Sequence, residues 1–401
     1  MKKIKQFIFK ILGSADLKSK VASIINVLFG NVIRDTDSNV SVLIPAPGGG
    51  NIGDQAMLES FLKNIEGKKL IVNTQSIPLD IPAEYSSNLE VIEMPGLIYG
   101  HLFRFFKDYF KLRKIMASAR ALYIIGADIM DGGYNKDASV MRSNIATYFV
   151  RNDIPARVFG FSWNGKPDPA ALVAIRNAAL SGVVLCVRDP VSFQRLQNAG
   201  VPNIRLVADM VFANGNTKSA GIEDVLEFCA GKRIALVNAS GLIAKDIDQI
   251  DEYSKVIDKL IGHGFSIVLL PHVIRPGAND LPVCQTLSEK YPAAFLVGRL
   301  LQPDQVKRLA QEAKIVVTGR MHLSIMSLNQ NIPSIVLSTQ GKVDGLMQFF
   351  ETEKFSVVPE KGFSTIICNQ IDTICENYQE YHALIAKNLV NVKQLSEKNF
   401  Q

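Results

Sequence analysis

The run Thr318-Gly319-Arg320-Met321-His322 sets a guanidinium and an imidazole two positions apart. It lies between an apolar stretch that reads as a strand (Ile315, Val316, Val317) and one that reads as a helix (Leu323, Ile325, Met326, Leu328). A helix N-terminus offers unpaired N–H groups and the positive end of a dipole. With a fixed cation and a proton carrier beside it, such a turn suits a phosphate or carboxylate ligand and proton transfer. Lys342 follows the next strand, in Gly341-Lys342-Val343. Three potential cations thus lie past two successive strands. Burying them for stability alone is costly, which favours an anionic ligand.

Other loops carry chemistry at the same kind of position. Pro47-Gly48-Gly49-Gly50-Asn51-Ile52-Gly53-Asp54 follows the first strand. Its glycines let backbone N–H groups approach an anion or a sugar, although the next strand ends at Asn73 where a dinucleotide site wants a carboxylate. Asp54 can cap the following helix or act on a hydroxyl. Gly126-Ala127-Asp128-Ile129-Met130-Asp131-Gly132-Gly133 offers Asp128 and Asp131 as a general base, a metal ligand or turn caps. In Val187-Arg188-Asp189-Pro190, Arg188 can grip an oxyanion in bidentate fashion or pair with Asp189 or Asp209. His272, in Leu270-Pro271-His272, ends a further strand and faces the expected ligand side.

These loops need a scaffold. Apolar runs bounded by turn residues predict strands at 40–44, 70–73, 91–94, 122–125, 157–161, 183–187 and 204–207, then at 234–238, 266–270, 294–297, 314–317, 334–337 and 355–358. Helical periodicity falls between them, notably over 55–62, 169–180 and 190–199. Alternation of this kind predicts an α/β protein with two Rossmann-like, doubly wound domains facing across a cleft. The expected division is a basic amphipathic helical segment 1–39, a domain 40–212 on the acceptor side that contributes Arg188, a linker 213–231, a second domain 232–370 for the anion, and a C-terminal helix 371–401. Residues 1–34 interleave apolar positions with Lys2, Lys3, Lys5, Lys10, Lys18, Lys20 and Arg34. They suit a peripheral membrane contact or a packed arm equally. Leu102, Phe103, Phe106, Tyr109, Phe110 and Leu112 predict a second helix with an aromatic core face among basic residues.

Composition narrows the class. The chain has 401 residues, 47% hydrophobic and 20% charged, enough for two sizeable cores. A formal charge of +6 without a basic-aromatic motif does not point to nucleic acid. Five scattered cysteines without a C-x-x-C pair imply neither a disulfide framework nor a zinc site. No apolar run is long enough to span a bilayer. The expected location is therefore cytoplasmic, compatible with peripheral contact at the inner face of the cell membrane.

In order and placement these motifs resemble the polysaccharide pyruvyl transferases. Gly50-Asn51-Ile52-Gly53-Asp54, Arg188-Asp189, Asp209, Thr318 to His322 and Lys342 match that family's G-N-x-G-D, R-D, later Asp, R-x-H and Lys. The resemblance covers about 40–350. It implies a GT-B-like fold and transfer of pyruvate from phosphoenolpyruvate onto a sugar as a ketal, with no cofactor and no metal. It implies that Arg188, Arg320 and His322 surround phosphoenolpyruvate. Lys342, Met321 and His272 complete the expected donor set. His322 is the expected proton donor, Asp54 or Asp128 orients or deprotonates the sugar hydroxyl, and Gly50, Asn51 and Gly53 form the acceptor loop. The expected partners are phosphoenolpyruvate and a saccharide acceptor, which a lipid can carry. A homo-oligomer is compatible. The alternatives are a nucleotide-sugar glycosyltransferase of the same architecture and a non-catalytic partner that retains the anion pocket.

Overall fold

All thirteen expected strands are present in the computed structural model, which describes residues 12–35, 39–75, 77–241, 243, 247–338 and 342–401. The first seven are β1 (Val40–Ile44), β2 (Lys68–Asn73), β3 (Leu89–Glu93), β4 (Ala119–Ala127), β5 (Ala156–Phe161), β6 (Val184–Val187) and β7 (Ile204–Leu206). They form a parallel sheet of order β3-β2-β1-β4-β5-β6-β7. The other six are β8 (Ile234–Asn238), β9 (Ser266–Leu269), β10 (Phe295–Leu296), β11 (Ala313–Thr318), β12 (Ser334–Leu337) and β13 (Ser356–Val357). Their parallel sheet runs β10-β9-β8-β11-β12-β13. Both orders reverse once, between β1 and β4 and between β8 and β11. That is the doubly wound arrangement in which the crevice at the strand carboxyl ends takes the ligand.

The local causes are plain. Val42, Leu43 and Ile44 of β1 are all buried, as are Ile315, Val316 and Val317 of β11. Continuous apolar runs are what strands covered on both faces require. The helix Pro169–Leu180 starts where Asp168 accepts a hydrogen bond from Ala170 N–H, and Pro190–Asn198 starts where Asp189 accepts from Ser192 N–H. Each has proline in its first turn, where no N–H is needed.

The chain divides into two compact units: 1–49, 58–207 and 399–401 form unit 1, and 50–57 with 208–398 form unit 2. This differs from the expected division. The Gly50–Met57 stretch counts with the second sheet because Asn51 bridges Val273 in antiparallel fashion, Ile52 N–H donates to His272 O, and Ile274 N–H donates to Gly50 O. The expected linker 213–231 contains the helix Glu223–Cys229 and belongs to unit 2, where Asp224 pairs with Arg299 and Lys218 N–H donates to Asp304 O. The C-terminal helix is a pair, Phe363–Glu376 and Tyr378–Glu397.

Residues 1–11 of the basic N-terminal segment lie outside the described residues. The helix Ala15–Phe29 packs Ala15, Lys18, Ala22 and Ile25 into unit 1. The helix Leu102–Ser118 buries Phe105, Asp108, Tyr109, Leu112, Ile115 and Met116. Tyr109 and Leu112 are buried as expected, but Phe105 takes the core place expected of Phe103 and Phe106, which face solvent. Among the described residues, no helix is long and apolar enough to cross a membrane.

Lys18 is fully buried, and its ammonium donates to Ile98 O at 2.7 Å. Burial lowers its pKa from 10.5 to about 8 against the opposing pull of Asp137. Between those values the unfolded chain holds a proton that the folded chain has released, so stability rises with pH across this window. At neutral pH the buried charge is a cost. Lys18→Met should therefore be the more stable protein at pH 7. The difference should shrink by up to about 3 kcal/mol as pH climbs from 8 to 10.5, read by urea unfolding of both proteins.

Candidate active site in the second unit

Unit 2 gathers a histidine pair, a buried Arg–Asp pair and the glycine loop. Arg320 and His322 follow β11, beside the point where that sheet reverses, and His322 lies in the first turn of the helix Met321–Leu328. Thr318 Oγ1 accepts from Arg320 N–H at 2.9 Å and donates to Asn238 Oδ1 at 3.2 Å. This ties the ends of β11 and β8 together. The first turn of the helix leaves N–H groups without intrahelical acceptors, a ready place for anionic oxygens.

Arg320 is not the free cation expected from its sequence setting. Its Nη2 donates to Asp280 Oδ1 at 2.6 Å and to Ala278 O at 3.3 Å, and its Nε lies 3.2 Å from both Asp280 oxygens. Asp280 is fully buried and also accepts from Gly241 N–H, Asn238 Nδ2, His272 N–H and Val273 N–H. A buried guanidinium needs such a counter-charge, which answers the cost that seemed to demand an anionic ligand. Among the described residues Nη1 makes no hydrogen bond and remains available to an anionic oxygen. A lone acid in a loop, as Asp280 is in the sequence, gives no sign of which basic group it will meet.

His322 Nε2 is buried without a hydrogen bond, and Asp209 Oδ2 lies 3.5 Å from it. Asp209 is buried, accepts from Val211 N–H and caps the short helix Met210–Ala213. Beside this pair, His272 is almost completely buried with neither ring nitrogen hydrogen-bonded. Burial first, then the charges of His322 and Arg320, push its pKa well below 6.5. His272 is thus a neutral ring that can supply either a donor or an acceptor.

The glycine loop packs on the same group. Gly50 has φ +71°, and a Cβ there would stand 2.3 Å from Ile274 O. A Cβ on Gly53 would meet His322 Nδ1 at 2.3 Å and its Cβ at 2.9 Å. Gly53 is therefore glycine so that the imidazole can lie against the backbone. Asn51 Oδ1 accepts from Gly53 N–H at 2.9 Å, which shapes the turn. Gly53→Ala should displace the ring, lower turnover at least about 100-fold, and cost about 1–3 kcal/mol of stability. Steady-state rates and urea melts check the two effects separately. Asp54 faces Arg275, with Nη1–Oδ2 3.5 Å, a cation the sequence reading did not single out.

The remaining candidates are placed as follows. Met321 is the first residue of the helix that carries His322, and Lys342 is the first of the helix Lys342–Gln348, with Gly341 outside the described residues. Arg188 and Asp128 belong to unit 1. Arg188 is buried at the end of β6, where Nε donates to Ser162 Oγ at 2.9 Å while Ser162 donates to Asp189. Asp128 follows β4 and accepts from Tyr134 at 3.4 Å. Asp131 accepts from Gly133 and Asn164 N–H and so holds its turn. Among the described residues, no group of three or more His, Cys, Asp or Glu could hold a metal ion.

A family model for polysaccharide pyruvyl transferase matches residues 51–341. The chain belongs to the polysaccharide pyruvyl transferase family. No curated protein matches it. Among solved structures it is similar to the UDP-GlcNAc 2-epimerase of Neisseria meningitidis bound to UDP-GlcNAc, with TM-score 0.61 and 12% identity over 90% of this chain and 97% of that one. It is also similar to the sucrose-phosphate synthase of Thermosynechococcus elongatus, with TM-score 0.56 and 13% identity over 89% and 94%. At such identities the likeness is one of fold, and the fold is GT-B-like, built from two Rossmann-like units.

Proposed function

We propose that this protein moves the pyruvyl group of phosphoenolpyruvate onto a sugar of a surface-polysaccharide precursor, leaving a pyruvate ketal and releasing phosphate. The observation that carries the reading is the packing of His322 against Gly53, within ion-pair distance of Asp209 and beside Arg320. This joins the family's R-x-H and G-N-x-G-D runs in one unit. Asp209 orients the imidazole, and Arg320 Nη1 with the N–H groups of the helix Met321–Leu328 receives the donor's anionic oxygens.

In this reaction His322 protonates the methylene carbon of phosphoenolpyruvate, and the C=C pair forms the new C–H bond. The central carbon becomes electrophilic and is attacked by a sugar hydroxyl, whose proton passes to a base. The C–O bond to phosphate breaks, and a second hydroxyl adds and loses its proton to close the ketal. Asp54, paired with Arg275, is the proposed group for holding a hydroxyl, and Asp128 is the second candidate. Arg188→Ala tests a donor role for that residue through the KM for phosphoenolpyruvate.

The direct experiment mixes the protein, phosphoenolpyruvate and a panel of glycans and follows phosphate release together with a pyruvyl mass gain on the glycan. The enzymes it resembles include one bound to UDP-GlcNAc. Titration with UDP-sugars therefore forms the second arm. Sugar transfer from a nucleotide, with no phosphate released from phosphoenolpyruvate, would replace this reading.

A further inference from the structure

Unit 1 exposes large apolar side chains on two helices that pack side by side. On Ala15–Phe29 these are Ile24, Val27, Leu28 and Phe29, and on Leu102–Ser118 they are Phe103 and Phe106. Spacings of three and four residues put Ile24, Val27 and Leu28 on one stripe and Phe103 and Phe106 on another, and Phe29 ends the first helix. The stripes join through rings: Phe29 meets Phe110 edge-on at 5.3 Å, and Phe110 meets Phe106 at 4.9 Å. The pair is held in register by polar bonds, with Tyr109 Oη and Arg113 Nη1 donating to Asn26 Oδ1 and Arg113 Nη2 donating to Gly30 O. The face is therefore a built surface rather than a frayed end. Phe103 and Val27 are each 83% exposed, far more than an isolated surface apolar residue needs.

The exposed charges on the two helices are mostly basic. Arg104, Lys107 and Lys114 are exposed and make no ion pair among the described residues. The acid of that helix, Asp108, is buried and accepts from Gly96 N–H. On the first helix, Asp16 is neutralised by Lys20. The sequence just upstream adds Lys2, Lys3, Lys5 and Lys10. Aromatic and aliphatic side chains beside unpaired Lys and Arg are the signature of a helix lying in the headgroup region of an anionic bilayer.

We infer that the faces of Ala15–Phe29 and Leu102–Ser118 form a docking surface for an anionic membrane, entered by Phe103, Phe106 and Leu28 and steered by Arg104, Lys107 and Lys114. The contact is peripheral and needs no spanning segment. It brings the enzyme to the surface where a lipid-borne acceptor would reside.

The test is flotation of the full chain with phosphatidylcholine–phosphatidylglycerol vesicles and with pure phosphatidylcholine vesicles. Binding is expected only to the anionic set and should weaken with salt. Phe103→Ser/Phe106→Ser should lower the partition coefficient at least about tenfold, and Lys107→Glu/Lys114→Glu on the order of 100-fold. Thermal unfolding should be unchanged, since these side chains are exposed. Deleting residues 1–11 should weaken binding and leave a part that still depends on Phe103 and Phe106. Three results would overturn the inference: no flotation of the wild type, full binding by both double variants, or binding that resides wholly in residues 1–11. A dimer in light scattering that Phe103→Ser/Phe106→Ser splits, without vesicle binding, would assign the face to a second copy of the chain and overturn it too.

Discussion

His322→Ala should abolish pyruvyl transfer, with kcat falling by about 100- to 10,000-fold while the fold stays intact. The size follows from the role: with the imidazole gone, only water can protonate the methylene carbon. The fold should survive because, among the described residues, His322 Nε2 makes no hydrogen bond, and removing the ring only leaves space beside Gly53. Phosphate release from phosphoenolpyruvate is the readout. In D2O the ketal methyl should carry deuterium, since the transferred proton exchanges with solvent. Unchanged turnover in this variant would remove His322 from the chemistry. Asp209→Asn should give a smaller loss through misorientation of the ring, largely in kcat and with little change in KM.

Asp280→Ala is the second large effect, and it reports on stability first. The substitution leaves the buried Arg320 guanidinium without a counter-charge and strips acceptors from Gly241, His272 and Val273 N–H. Breaking a buried ion pair from one side costs about 3–5 kcal/mol. Asp280→Leu with Arg320→Met should recover much of that loss, because the hydrophobic pair has no unpaired charge. A double-mutant cycle by urea unfolding measures the coupling. Neither the single nor the double variant should turn over phosphoenolpyruvate, because Arg320 Nη1 is aimed by Asp280. Stability and activity thus part company in the double variant. A purely structural role for the pair would instead restore both.

Particular elements show what could be seen before the fold was known. β1, β8 and β12 have the bounds expected from the sequence, because a strand buried on both faces shows as a dense apolar run, broken here only by Ser41, Asn238 and Ser334. The proline-led helices Pro169–Leu180 and Pro190–Asn198 were equally legible. The outward turn of Phe103 and Phe106 was not: neighbouring aromatics in Leu102–Ser118 compete for the core, and packing chose Phe105 and Tyr109.

The residues alone determined the two alternating α/β series, the turn at Thr318–His322 and the kinship with pyruvyl transferases. Those follow from short-range patterns that every chain segment carries in itself. Tertiary structure decided which acid answers Arg320, which carboxylate stands by His322, and why Gly53 has no side chain. Each depends on loops from separate strand ends meeting at the reversal of one sheet, and no local period encodes which loops will meet.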